Sequence, residues 1–146
     1  MKYLSKFAAR VKEFMQDENI SVTELAKQLN FNRVTLSGVL NGNRYPSTKL
    51  LIAIVCRYEC SAHYVLGLTD IPPDRKFTQV KPFEDVFAKC LSENKISQYK
   101  LQNDLHLSHA LTYNWLYGKS VPSVASLIML AENFDCSVDY LLGREN

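Results

Sequence analysis

The sequence predicts an all-α protein made of two tandem five-helix domains. Three observations carry this. Apolar residues recur at helical spacing, as at Phe7, Val11, Phe14 and Met15, or at Leu51, Ile54 and Val55. Runs of alternating β-branched residues, which a sheet would need, are missing. The chain also repeats itself: Gly42, Pro46, Cys60, Tyr64 and Gly67 return as Gly118, Pro122, Cys136, Tyr140 and Gly143, each 76 residues later. Phe7–Asp70 and Phe83–Asn146 align without a gap, with about a quarter of positions identical. An offset that long marks one domain duplicated, not a solenoid of short repeats.

The first helix is expected over Phe7–Glu18, with its apolar stripe inward and its charges outward. Ser21 stands at the N-cap of a second helix, Val22–Leu29, and Glu24 three residues on completes a capping box. Asn30 occupies the turn, where positive φ favours glycine and tolerates asparagine. Asn32 caps a third helix that runs to Leu40 and stops at Asn41–Gly42. A fourth helix spans Thr48 to Tyr58, and Ser61 caps a short fifth that ends near Gly67. The second copy repeats the plan over Phe83–Glu93, Gln98–Leu105, His109–Tyr117, Val124–Asn133 and Val138–Leu142. Ser97, Ser108, Ser123 and Ser137 stand at its caps. The domains are therefore 1–67 and 83–146. Residues 68–82 form a linker whose proline pair and mixed charge disfavour a regular element.

At 146 residues the chain has room for two domains of about 65 residues, small enough to be marginal alone. No apolar run approaches the ~20 residues of a membrane span. The N-terminal MKYLSKFAARVKEF is amphipathic and lacks the apolar core of a signal peptide. The expectation is a cytoplasmic protein with reduced thiols. The net charge of +2 conceals an asymmetry: Met1–Asp70 carries net +3, Ile71–Pro82 net +2 and Phe83–Asn146 net −3. Binding a phosphate backbone needs cationic surface, which the first copy and the linker have and the second lacks on average.

Within the first copy, Ser21–Gly42 has the pattern of a helix-turn-helix. Leu25 with Leu29, and Leu36 with Val39, share helix faces, and Ala26 is small where two helices would cross. Asn32, Arg33, Thr35, Ser37 and Asn41 leave a polar face that could enter a major groove.

ELAKQLNFNRVTLSGVLNGNRYPS, with the closing CSAHYVLG and CSVDYLLG, resembles the lambda-repressor/Cro-type (Xre) helix-turn-helix domain. The second copy keeps GKSVPS and DYLLG but diverges at its core, with Gln102 for the small crossing residue and His106 in the turn. The resemblance implies sequence-specific binding of double-stranded DNA, usually as a transcriptional repressor. Carried over position by position, it implies base reading by Asn32, Arg33, Val34, Ser37 and Gly38, and by Ser108, His109, Ala110, Tyr113 and Asn114. Asn41, Asn43, Arg44 and Lys119 would hold phosphates, as would Gln98 at the start of its helix. Arginine at the start of a recognition helix can meet guanine O6 and N7 together, and a valine can pack on a thymine methyl.

Competing readings remain for several residues. Cys56, Cys60 and His63 offer three ligands, but Cys56 and His63 do not recur in the second copy, so no metal and no cofactor are expected. Cys60, Cys136 and Cys90 read as core residues. No nucleophile–base–acid set is present, which argues against an enzyme. Trp115, at the position of Val39, reads as core. Tyr113 and Tyr117 fall on the outward face and suit a protein interface. The second copy is thus either a second DNA reader, with two helices meeting half-sites ~34 Å apart, or a module for homodimerisation or another protein partner. A third reading makes the whole chain a phage-type inhibitor that uses this fold to bind a protein.

Overall fold

The computed structural model describes residues 4–145; Met1–Tyr3 and Asn146, which the sequence reading includes in the two terminal domains, lie outside them. Ten α-helices and no strand occur among the described residues. The backbone divides into two compact units, with the division between Phe77 and Thr78.

Unit 1 holds α1 (Leu4–Glu18), α2 (Val22–Leu29), α3 (Arg33–Leu40), α4 (Thr48–Arg57) and α5 (Ala62–Val65). Helix α1 begins three residues before the first apolar position of its stripe, Phe7. Ser21, Asn32, Ser47 and Ser61 each accept a backbone N–H of the following first turn, satisfying one of the donors a helix start leaves open. Glu24 N–H donates to Ser21 Oγ at 3.2 Å, and the Ser21 hydroxyl in turn faces the Glu24 carboxylate at 3.4 Å. Helix α3 packs on α1 and α2, α4 on α2 and α5, and α5 on α1. Phe7, Val11, Leu25, Leu36, Leu50, Leu51, Ile54 and Leu66 fill the core. Phe14 is half-buried, stacked on Tyr58 with ring centres 4.7 Å apart.

Two arginines tie this unit together. Arg57 on α4 bonds Glu18 at the end of α1 and donates from Nε to Gln28 of α2 at 3.1 Å. Arg10 on α1 donates to the Tyr64 carbonyl and, at 2.9 Å, to that of Thr69. The segment after α5 is thereby held against α1, and Asp70 lies 3.5 Å from both Lys6 and Arg10.

Unit 2 holds α6 (Phe83–Glu93), α7 (Gln98–Asp104), α8 (His109–Leu116), α9 (Val124–Phe134) and α10 (Val138–Leu141). Helix α6 packs on α8 and α10, α7 on α8, and α9 on α10. The core centres on Trp115, which meets Phe87 edge-on at 5.8 Å and Phe83 at 6.2 Å. The two phenylalanine rings stack at 5.4 Å. Asp139 and Arg144 form an ion pair at 2.6 Å with both side chains buried. The extended segment before α6 lies along the chain end: Thr78 N–H donates to the Arg144 carbonyl at 2.8 Å and Lys81 N–H to that of Leu142 at 3.1 Å. Both ends of the proline-containing segment are thus bonded within a unit, Thr69–Asp70 in the first and Thr78–Lys81 in the second. Among the described residues no helix is long and apolar enough to cross a membrane.

Candidate nucleic-acid interface

The turn between α2 and α3 is built by Asn30, whose φ of 60° and ψ of 44° are left-handed. Its N–H and that of Phe31 donate to the carbonyls of Lys27 and Ala26 at 3.2 and 2.9 Å, closing α2 in the way a left-handed cap does. With Leu36, Val39 and Leu40 buried, Arg33 and Val34 stand exposed, and Val34 keeps 73% of its surface. Ser37 and Gly38 are half-exposed; Asn41, Asn43 and Arg44 beyond the helix end are exposed. Residues 32–44 therefore bring Asn32, Arg33, Val34, Ser37, Asn41, Asn43 and Arg44 to the start, outward face and end of one helix.

Asn32 is partly committed. Its Oδ1 accepts the Val34 N–H at 2.7 Å, which leaves the amide nitrogen as the group it can offer. The paired contact to adenine needs both ends of the amide, so Asn32 can make only half of it. Arg44 is placed by Gly38: a Cβ at position 38 would lie 3.1 Å from Arg44 Nη2 and 3.5 Å from Cζ. The guanidinium rests on the bare helix backbone there.

Charge distinguishes the stretch that contains this helix. Residues 25–58 include Lys27, Arg33, Arg44, Lys49 and Arg57 and contain no Asp or Glu. Among the described residues no carboxylate pairs with Arg33 or Arg44. The equivalent stretch of the second copy, 101–134, has Lys119 as its one cation, with Asp104 and Glu132.

On α8 the sequence-predicted residues are arranged differently. Ser108 is the N-cap and accepts Leu111 N–H at 3.1 Å. His109, Tyr113 and Tyr117 form a continuous aromatic row, with ring centres 6.0 and 4.5 Å apart, and Lys119 Nζ lies 5.0 Å from the Tyr113 ring. Tyr117 is 62% exposed and Tyr113 37%. Ala110 is exposed and Asn114 half-exposed. Gln98 is turned toward α8: its Nε2 donates to Thr112 Oγ1 at 3.0 Å and lies 3.4 Å from His109 Nδ1. Its amide donor is engaged within the unit.

Sequence reasoning missed Thr112. Its hydroxyl is fully buried and donates to Gln102 Oε1 at 3.1 Å. The signal was present in the repeat: Val22, Ala26 and Leu36 of the first copy become Gln98, Gln102 and Thr112, three polar exchanges whose positions meet. The thiols also divide. Cys90 is buried, whereas Cys60 and Cys136, expected in the core, are half-buried and Cys56 is exposed. Among the described residues no cluster of three His, Cys, Asp or Glu side chains could hold a metal.

Residues 11–65, within unit 1 and spanning most of α1 through α5, match the family model of the helix-turn-helix. No curated protein and no solved structure matches the chain.

Proposed function

We propose that this protein, with its helix-turn-helix at residues 11–65, is a sequence-specific double-stranded DNA-binding transcriptional regulator of the Xre type. It acts in the cytoplasm as a repressor. Helix α3 enters the major groove, with Arg33 and Val34 against base edges and Asn41 and Asn43 against phosphates. Occupying an operator would exclude polymerase or another regulator. The observation that carries this reading is the exposed start and outer face of α3, which carry Arg33 and the guanidinium of Arg44, in a 34-residue stretch, 25–58, without a carboxylate. Such a surface meets the requirement of a polyanionic duplex, and no carboxylate among the described residues pairs with Arg33 or Arg44.

Unit 2 is read as a second copy of the same domain that has exchanged DNA contact for protein contact, either with another copy of this chain or with another protein. The row His109–Tyr113–Tyr117 favours this over a second reading head, because exposed aromatics on a domain poor in cations suit a protein surface better than phosphate. The same row would serve a phage-type inhibitor.

A salt titration of binding to mixed-sequence duplex tests the proposal. Affinity should fall steeply and log-linearly as salt rises. No detectable binding to duplex at low salt would overturn it in favour of a protein partner.

A further inference from the structure

We infer that Arg44 is a base-reading, specificity-determining residue, delivered from the loop after α3 onto the centre of the recognition face through the space left by Gly38. The inference rests on the reading of α3 as the DNA-facing helix.

Successive residues of an α-helix are about 100° apart. Taking Leu36, Val39 and Leu40 as the buried direction, Val34 and Gly38 lie within about 30° of the direction opposite it. Arg33 is displaced by more than about 100° and reaches out from the flank. The middle of the outward face thus belongs to Val34 and Gly38, and neither offers a hydrogen-bonding side chain. Glycine inside a helix is disfavoured relative to alanine, so its place at 38 weakens α3 unless the missing Cβ is used. The structure puts Arg44 there: Nη2, Cζ and Nε lie 3.1, 3.5 and 3.6 Å from where that Cβ would be. The guanidinium lies one helical turn from Val34, is exposed, and pairs with no carboxylate among the described residues. A planar donor fork at the centre of a groove-facing surface is the group that reads guanine O6 and N7 together. A phosphate clamp would belong at the periphery of that surface. In the second copy the two positions are Asn114 and Ser120, so the device is confined to unit 1.

The test is selection of binding sites from a random duplex pool by the full chain and by Arg44→Lys, Gly38→Ala and Arg33→Ala. Arg44→Lys keeps the charge and loses the fork. Gly38→Ala places a methyl 3.1 Å from Nη2 while strengthening the helix, and circular dichroism verifies its fold. Arg44→Lys should lose preference at one guanine by about 5- to 150-fold; Gly38→Ala, which displaces the flexible end of Arg44 by only a few tenths of an ångström, should lose less at that same guanine, and both should keep the remaining consensus. Arg33→Ala should relax a different base pair. An unchanged consensus in Arg44→Lys and Gly38→Ala, with Arg33→Ala still relaxed, overturns this inference alone and returns Arg44 to the phosphates. A wild-type chain that selects no sequence overturns the DNA-reading proposal along with it.

Discussion

Thr112 Oγ1 donates to Gln102 Oε1 across 3.1 Å from a side chain with no exposed surface, and this bond joins α7 to α8. The same oxygen accepts from Gln98 Nε2 at 3.0 Å. At the matching positions unit 1 has Leu36, Ala26 and Val22, so a large apolar side chain against a small one has become a small polar side chain between two amides. The exchange conserves filling of the helix crossing but makes it depend on three polar groups being satisfied together.

Thr112→Val is therefore expected to destabilise unit 2 by about 0.5–1.5 kcal/mol, because it removes the hydroxyl that two half-buried amides share while hardly changing shape. The triple variant Gln98→Val, Gln102→Ala, Thr112→Leu, which restores the unit 1 set, should recover most of the loss. Trp115 is the only tryptophan and is buried in unit 2, so its fluorescence during urea unfolding follows this unit alone. A neutral Thr112→Val, with no coupling to Gln102→Ala in a double-mutant cycle, would show that the bond contributes nothing.

What was legible in the sequence was local. Ser21, Asn32, Ser61, Ser97, Ser108, Ser123 and Ser137 declare helix starts because a cap needs only a side chain and the N–H two or three residues on. Asn30 declares the turn because few residues accept its left-handed φ of 60°. What was not legible depends on partners distant in the chain. The bond from Gln98 to Thr112, fourteen residues later, is one such contact. Arg44 on Gly38 follows from the path of the loop after α3. The hold of Arg10 on Tyr64 and Thr69, more than fifty residues away, takes Thr69 and Asp70 out of a free linker.

Unit 2 should lose stability in alkali. Burial pushes the Cys90 thiol up to about 11 and the Cys136 thiol up to about 12 from the ordinary value of 9.0. Tyr140 is raised as well, first by its bond to Glu93 and then by burial. A group whose folded value lies above its unfolded one keeps its proton longer in the native state. Its contribution is complete below about pH 9 and is lost as pH rises through 11 and 12. Urea midpoints followed by Trp115 fluorescence should fall over that interval, and less so in Cys90→Ala/Cys136→Ala. Equal slopes in the two proteins would refute the assignment to the thiols.

The Asp139–Arg144 pair should be costly to break and cheap to replace. Both groups are buried at 2.6 Å, so Asp139→Asn takes away a negative charge that faces the Arg144 guanidinium in the interior. That is expected to cost about 3–5 kcal/mol. Asp139→Leu/Arg144→Leu removes both charges and should cost far less, since desolvation then disappears with the attraction. Fluorescence-detected unfolding of the two variants checks the order, and a double variant as unstable as Asp139→Asn would contradict it.

The two helices α3 and α8 are predicted to differ in what they meet. Arg33→Ala on a selected duplex should weaken binding by about 1–3 kcal/mol and relax one base position, because the fork it loses can span a guanine edge. Lys119→Glu combined with His109→Ala should leave duplex affinity and its salt slope unchanged. The lysine ammonium is already seated 5.0 Å from the Tyr113 ring, and the histidine continues a row of tilted aromatic rings that adds no further cation for phosphate. Tyr113→Ala/Tyr117→Ala should instead reduce self-association or partner binding, measured by analytical ultracentrifugation of the full chain. A salt slope that drops by about one in the Lys119→Glu variant would mean that α8 holds a phosphate. Unit 2 would then be a second reading head, and the protein would span two half-sites as a pseudo-dimer.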